Sequence, residues 1–206
     1  MDAVAAPTAG YLEVIIGPMW SGKTSRLLDL HTQYTVCGVP VVLVNYIGDE
    51  ARGVARGELR THDGRRANCC SVKRIAGVPE EVIQRADAVL INEAQFFPDA
   101  VEGITRLVEE LGKRVHAAGL DGDFMRRPFG DWLSLVPLSD EVVKKRAFCR
   151  GCKRQQAPFS HRIVESLDVQ LIGAADAYQP LCRSCYRAAA KGPDTKPLEG
   201  SGKVCL

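Results

Sequence analysis

Residues 17 to 24 read GPMWSGKT and follow the apolar run YLEVII at Tyr11 to Ile16. In the pattern G-x-x-x-x-G-K-[ST], Gly17, Gly22, Lys23 and Thr24 hold the fixed places, with Pro18, Met19, Trp20 and Ser21 between them. A strand-like run before and a helix-like run after make this the setting in which successive backbone N–H groups converge on phosphate oxygens at a helix N-terminus. Gly17 and Gly22 turn the chain where a Cβ would clash. Lys23 brings a point charge for β and γ phosphates, and the Thr24 hydroxyl suits Mg²⁺, a hard cation that takes oxygen ligands together with substrate phosphates.

A second chemistry is written in cysteine. Cys149 and Cys152 form CRGC, Cys182 and Cys185 form CRSC, and residues 153 to 181 separate the pairs. Two C-x-x-C turns can present four thiolates to Zn²⁺, and a four-thiolate site leaves no open position for water, so such a metal is structural and closes the base of the excursion between the pairs. Free or redox-active thiols are the competing reading, which two such pairs together disfavour. Cys37, Cys69 and Cys70 lack such partners and read as ordinary core or surface thiols.

The elements that must position these groups follow from apolar patterning. Strands are expected at Leu12 to Ile16, Val41 to Val44, Ala88 to Ile91 and Arg114 to Ala118, with helices at Lys23 to Tyr34 and Ala100 to Leu111. This alternation predicts an α/β domain with a mostly parallel sheet. Residues 11–147 are assigned to that nucleotide-binding domain and 148–190 to a small zinc-binding domain. A flexible N-terminus at 1–10 and a disordered tail at 191–206 flank them. Between Gly48 and Gly64 the chain turns to Gly, Arg, Asp and Glu without apolar periodicity and reads as an exposed loop beside the phosphate site.

Composition narrows the function classes. The chain has 206 residues, 46% of them hydrophobic, enough for one full core with a small module added. Its apolar runs are far too short to span a bilayer, so no membrane association is expected. A net charge of +2 gives little general attraction for nucleic acid, and the basic cluster VKKR at Val143 to Arg146 reads as solvated surface. No secretory signal is visible, which makes the cytoplasm the default and argues against a disulfide framework for the eight cysteines.

Five motifs in one order resemble the type II thymidine kinases, the zinc-containing cytosolic class. They are GPMWSGKT, NEAQFFPD at Asn92 to Asp99, LDGDFMRRPFG at Leu120 to Gly130, the paired CRGC and CRSC, and IGAADAY at Ile172 to Tyr178. The resemblance spans about residues 11 to 190. It implies transfer of the γ-phosphate of ATP to the 5′-hydroxyl of thymidine, with deoxyuridine as a second acceptor. It also implies a RecA-like P-loop domain with a zinc-tethered lasso that closes over the nucleoside, a homotetramer, and feedback inhibition by thymidine triphosphate.

Site residues carry over position by position. Glu93 matches the family's catalytic glutamate, and a carboxylate past a buried strand is suited to accept the proton of the attacking hydroxyl. Asn92 departs from the pattern, which usually has Asp there as the acidic partner of Mg²⁺. Gln95 matches a nucleotide-site glutamine. Asp49 is assigned to the same site, and Arg52, in the loop after it, is placed to neutralise the transferring phosphate, with Arg126 and Arg127 as rivals. Met19, Phe96, Leu120, Phe124 and Phe129 match the walls of the thymine pocket. Backbone groups of Val169, Gln170, Leu171, Ile172 and Gly173 match the part of the lasso that reads the base, with Ser160 and Tyr178 nearby and Asp176 orienting the loop. Two other readings compete with a kinase: a P-loop ATPase whose zinc module binds nucleic acid, and a non-catalytic nucleotide sensor.

Overall fold

A computed structural model describes residues 9–47, 57–61, 63–164 and 177–190 of the chain. In chain order the elements are β1 (Tyr11–Ile16), α1 (Lys23–Val36), β2 (Val41–Tyr46), β3 (Glu58–Arg60), β4 (Arg66–Asn68), β5 (Cys70–Val72), α2 (Glu80–Arg85), β6 (Ala88–Ile91), α3 (Ala100–Thr105), β7 (Arg114–Gly119), β8 (Glu141–Lys144), β9 (Ala147–Phe148), β10 (Gln156–Ala157), β11 (Phe159–Arg162), β12 (Tyr178–Leu181) and α4 (Arg183–Ala189). Six strands form one sheet in the order β5-β2-β6-β7-β1-β8, every neighbouring pair parallel. The expected α/β architecture with its parallel sheet is therefore present, and parallel pairing brings the carboxyl ends of all six strands to one edge.

Side chains alternate across the strands, so each strand feeds two cores. Val14, Val44, Val89, Ile91, Val115 and Ala117 face one side and pack with Ile83, Ile104, Leu107, Trp132 and Leu135. Ile15, Leu43, Leu90 and Ala118 face the other and meet Leu27, Leu28 and Leu30 of α1. All four residues of β6 are fully buried, as expected of a central strand covered on both faces. A polar pair is embedded in this packing: Glu13 of β1 meets His116 Nδ1 of β7, and Tyr34 of α1 lies 2.8 Å from His116 Nε2. Burial alone would raise the Glu13 carboxyl, yet His116 and Arg26 hold it below its ordinary range.

Three sequence expectations change. Residues 57 to 61, read as part of an exposed loop, contain β3, which pairs antiparallel with β4 and buries Leu59 completely in the core beneath α1. One apolar residue between Glu58 and Arg60 shows no period, so patterning passed it over. The remainder of that loop at 48–56, with Asp49 and Arg52, lies outside the described residues. The basic cluster at Val143 to Arg146 is not simply solvated surface: it closes β8 on the sheet, Val143 packs against the α1-side core, and Lys145 is half-buried. The helix from Ala100 ends as α at Thr105 and continues as a π-helical turn over Arg106–Glu110. Residues 1–8 and 191–206, read as flexible ends, are likewise outside the described residues.

Beyond β8, Ala147, Cys149, Ala157, Leu181, Cys182 and Tyr186 form a separate small core. The pairs β9–β10 and β11–β12 are antiparallel and frame it.

Candidate active site

The phosphate loop leaves β1 at the carboxyl edge of the sheet, where ligands of open α/β folds bind. Gly17 has φ +152, and a Cβ on it would lie 2.5 Å from the Lys145 carbonyl oxygen and 3.0 Å from Ser21 Oγ. The buried Ser21 hydroxyl thus packs into space that only glycine leaves open. Gly22 is left-handed and serves as the N-cap of α1, so the first amides of a fourteen-residue helix point back over the loop. Lys23 Nζ donates to the carbonyls of Gly17 at 3.0 Å and Pro18 at 2.8 Å, which holds the ammonium above the loop. Trp20, also left-handed at φ 65, is 37% exposed on its rim.

The loop is tied to the end of β6 through Thr24, whose hydroxyl donates to Asn92 Oδ1 at 3.3 Å. Asn92 Nδ2 in turn donates to Asn45 Oδ1 at 2.9 Å, with both amides buried. Asn45 was not singled out from the sequence, although its place near the carboxyl end of β2 is the signal that finds it. The Thr24–Asn92–Asn45 chain is neutral throughout: Asn92 accepts from Thr24 and donates to Asn45 without a charge.

Glu93 follows directly and is left-handed at φ 55, an unfavourable conformation for a residue with a Cβ that commonly marks a functional position. Gln95 Nε2 donates to Glu93 Oε2 at 2.6 Å, and Gln95 Oε1 accepts from the Leu120 N–H at 2.9 Å. The Gln95 amide, expected at the phosphates, thus links Glu93 to the segment after β7. Trp132 Nε1 donates to the Leu120 carbonyl at 2.9 Å and fixes that segment from the other side. Gly119 makes room for the arrangement, because a Cβ there would lie 2.6 Å from Gln95 Oε1 and 2.7 Å from Trp132 Cζ2. Gly119→Ala is expected to destabilise the fold by about 1–3 kcal/mol through overpacking, measured by denaturant melts.

Aromatic groups stand beside Glu93. Phe96 and Phe129 meet edge to face at 5.4 Å between centroids, and Tyr46, another residue patterning missed, lies 5.5 Å from Phe96. Phe124 carries the Arg162 guanidinium 3.8 Å above its ring, while Arg162 Nε donates to the Tyr178 hydroxyl at 3.2 Å. The Met19 N–H donates to Ser160 Oγ at 2.9 Å, joining the phosphate loop to β11. Met19 is thus joined to Ser160, Phe96 to Phe129, Leu120 to Gln95, and Phe124 to Tyr178 through Arg162, whereas Val169, Gln170, Leu171, Ile172, Gly173 and Asp176 lie outside the described residues. Neither rival arginine turns toward the loop: Arg126 stacks on Tyr186 at 4.5 Å, and Arg127 Nε pairs with Asp123 at 3.2 Å.

The four cysteines of the two pairs converge, with all four Sγ atoms within 4.8 Å of one another. Thiolates at about 2.3 Å from a tetrahedral Zn²⁺ stand roughly 3.8 Å apart, and Cys152 Sγ is 3.9 Å from Cys182 Sγ. Burial alone would raise the Cys149 thiol, but N–H groups of Cys182, Cys152 and Gly151 bring it down to about 6. Cys185, by contrast, is pushed up to about 12 by burial and by the neighbouring sulfurs. Four thiols this close cannot all ionise unless a cation lies between them, so the donor set fits a structural zinc.

The sequence family described as thymidine kinase matches residues 10–186. The thymidine kinase of Vaccinia virus (strain Ankara) is 38% identical over 177 residues, covering 86% of this chain and 97% of the relative. The thymidine kinase of Monkeypox virus is 39% identical, and that of Variola virus 38%, over the same length and shares. With a parallel α/β sheet, a phosphate loop at its carboxyl edge and a converged four-cysteine cluster, the chain belongs to the thymidine kinase family.

Proposed function

We propose that the protein transfers the γ-phosphate of ATP to the 5′-hydroxyl of thymidine, giving dTMP for pyrimidine salvage, with deoxyuridine as a second acceptor. The observation that carries this reading is the convergence at one sheet edge of the phosphate loop and the Glu93 carboxylate, linked through Thr24 and Asn92. In this scheme the loop amides and Lys23 neutralise the phosphates, and Glu93 accepts the proton as the hydroxyl attacks. Gln95 orients Glu93 by donating to its Oε2. Phe96 and Phe129 form one wall for the base, with Met19, Leu120, Phe124, Ser160 and Tyr178 around it, and backbone groups of residues 169–173 read its edge. Arg52 supplies charge to the transferring phosphate and Asp49 belongs to the nucleotide site.

Thr24 and Asn92 would hold Mg²⁺, which would supply positive charge to the phosphates when bound with ATP. Cys149, Cys152, Cys182 and Cys185 would hold Zn²⁺, keeping the lasso's base closed. Cytoplasmic residence, a homotetramer and feedback inhibition by thymidine triphosphate are proposed on the resemblance of the motifs.

The test is ADP formation from ATP and Mg²⁺ with and without thymidine. Thymidine-dependent ADP release supports the kinase, and equal release without thymidine removes it. A second test concerns the neutral Asn92. Asn92→Asp keeps the acceptor for the Thr24 hydroxyl and replaces the amide that donates to Asn45. The variant is expected to reach half-maximal rate at a severalfold lower Mg²⁺ concentration, and an unchanged Mg²⁺ titration would sink the idea.

A further inference from the structure

We infer that Lys145 is a second phosphate-binding lysine, whose ammonium contacts the triphosphate chain of the nucleotide donor alongside Lys23. The inference deepens the reading of Gly17 to Thr24 as the ATP loop and rests on it.

Sheet register determines where Lys145 stands. β8 runs beside β1 with Lys144 opposite Ile16, and the Lys145 N–H donates to the Ile16 carbonyl at 2.8 Å. Lys145 is therefore the first residue past β8, level with Gly17 as the first residue past β1. Its carbonyl oxygen lies against Gly17, so its backbone cannot drift away from the loop. Its side chain runs toward the other end of the loop: Cε lies 3.9 Å from the position of a Cβ on Gly22, and the ammonium is one bond further on.

Gly22 caps α1, so this side chain brings a positive charge to the positive end of a helix that already carries Lys23 in its first turn. Both repel it unless an anion lies there. The neighbouring basic residues are engaged elsewhere: Lys144 Nζ pairs with Asp121 at 2.6 Å, and Arg146 Nη1 donates to Gln156 Oε1 at 3.1 Å. Among the described residues the Lys145 ammonium makes no such pair. Lys23 lies against the entry of the loop and Lys145 against its exit, so a polyphosphate seated in the loop is met by cations at both ends.

The experiment compares wild type with Lys145→Ala, Lys145→Arg and the charge-matched control Arg146→Ala. Initial rates are measured with ATP varied at saturating thymidine and the reverse. Binding of ADP and of adenosine is followed separately by tryptophan fluorescence, with Trp20 on the rim of the loop as reporter. Lys145→Ala is expected to raise the ATP KM and the ADP dissociation constant about tenfold, the scale of one charge-assisted hydrogen bond. Thymidine KM and adenosine binding should stay unchanged, Lys145→Arg should recover most of the loss, and Arg146→Ala should match wild type. ATP KM and ADP binding unchanged in a folded Lys145→Ala, or a change in thymidine KM alone, overturns the inference. Should wild type bind ADP without phosphorylating thymidine, the acceptor reading fails, while the ADP titrations still decide the role of Lys145.

Discussion

Replacing Glu93 by Gln is expected to lower the thymidine-dependent kcat by about 10²–10⁴-fold, the range supplied by a positioned general base, with little effect on ATP binding or stability. The structure makes this a clean substitution. Glu93 accepts a 2.6 Å hydrogen bond from Gln95, and a Gln side chain can offer its own carbonyl oxygen to the same donor. The left-handed backbone is equally strained for either residue, so the fold tolerates the change. What disappears is the capacity to take up a proton. Steady-state rates with thymidine, ADP binding and a thermal melt separate the possibilities. A variant that retains more than a tenth of wild-type kcat would show that Glu93 only shapes the loop, and one that loses ADP binding as well would place it in the nucleotide site instead.

The second large effect is expected at the cysteine cluster. Cys149→Ser removes a buried sulfur that accepts the N–H of Cys182 at 3.2 Å and sits in the small core with Leu181 and Tyr186. Zinc content is expected to fall from one per chain to near zero, since structural thiolate sites are assembled by the metal itself. Two connections from this module end in the candidate site: Met19 to Ser160, and the Tyr186 hydroxyl to the Phe124 carbonyl at 2.6 Å. Loss of both should raise the thymidine KM by more than about tenfold, the scale set by one to two lost hydrogen bonds. The parallel sheet has its own two cores and should persist. Metal analysis, thymidine KM and far-ultraviolet circular dichroism test this together. Collapse of the sheet in step with zinc loss would show that the module and the sheet are one cooperative unit.

Much of this layout is legible in the sequence because its signals are local. Tyr11 to Thr24 carries strand, loop and helix start in one stretch, AVLI at Ala88 to Ile91 is a fully buried strand, and the C-x-x-C pairs announce their cluster by spacing. What escapes is set by partners distant in the chain. Asn45 means nothing until β2 and β6 pair and bring it to Asn92. Trp132 carries no motif, and only the fold brings its indole N–H to the Leu120 carbonyl. β8 reads as charge because Glu141, Lys144 and Lys145 bracket two valines, and a short strand at the sheet edge buries too little to show a period. Gln95 was recognised as a site residue, but its bond to Glu93 depends on Leu120 and Gly119, which arrive from β7.

Hydrogen bonds that fix the start of β1 and the phosphate loop after it also order events during synthesis. Leu12 N–H meets Asp140, Tyr11 meets Glu141, and Met19 meets Ser160, across 128, 130 and 141 positions of chain. A nascent chain therefore exposes the loop long before it makes the strand and turn that hold it, and closing contacts of this span is slow and entropically costly. The loop, made well before its partners at Asp140 to Ser160, is held in its working shape only after they emerge. A fragment that ends before β8 would contain every residue of the phosphate motif and lack the edge against which Gly17 is pressed.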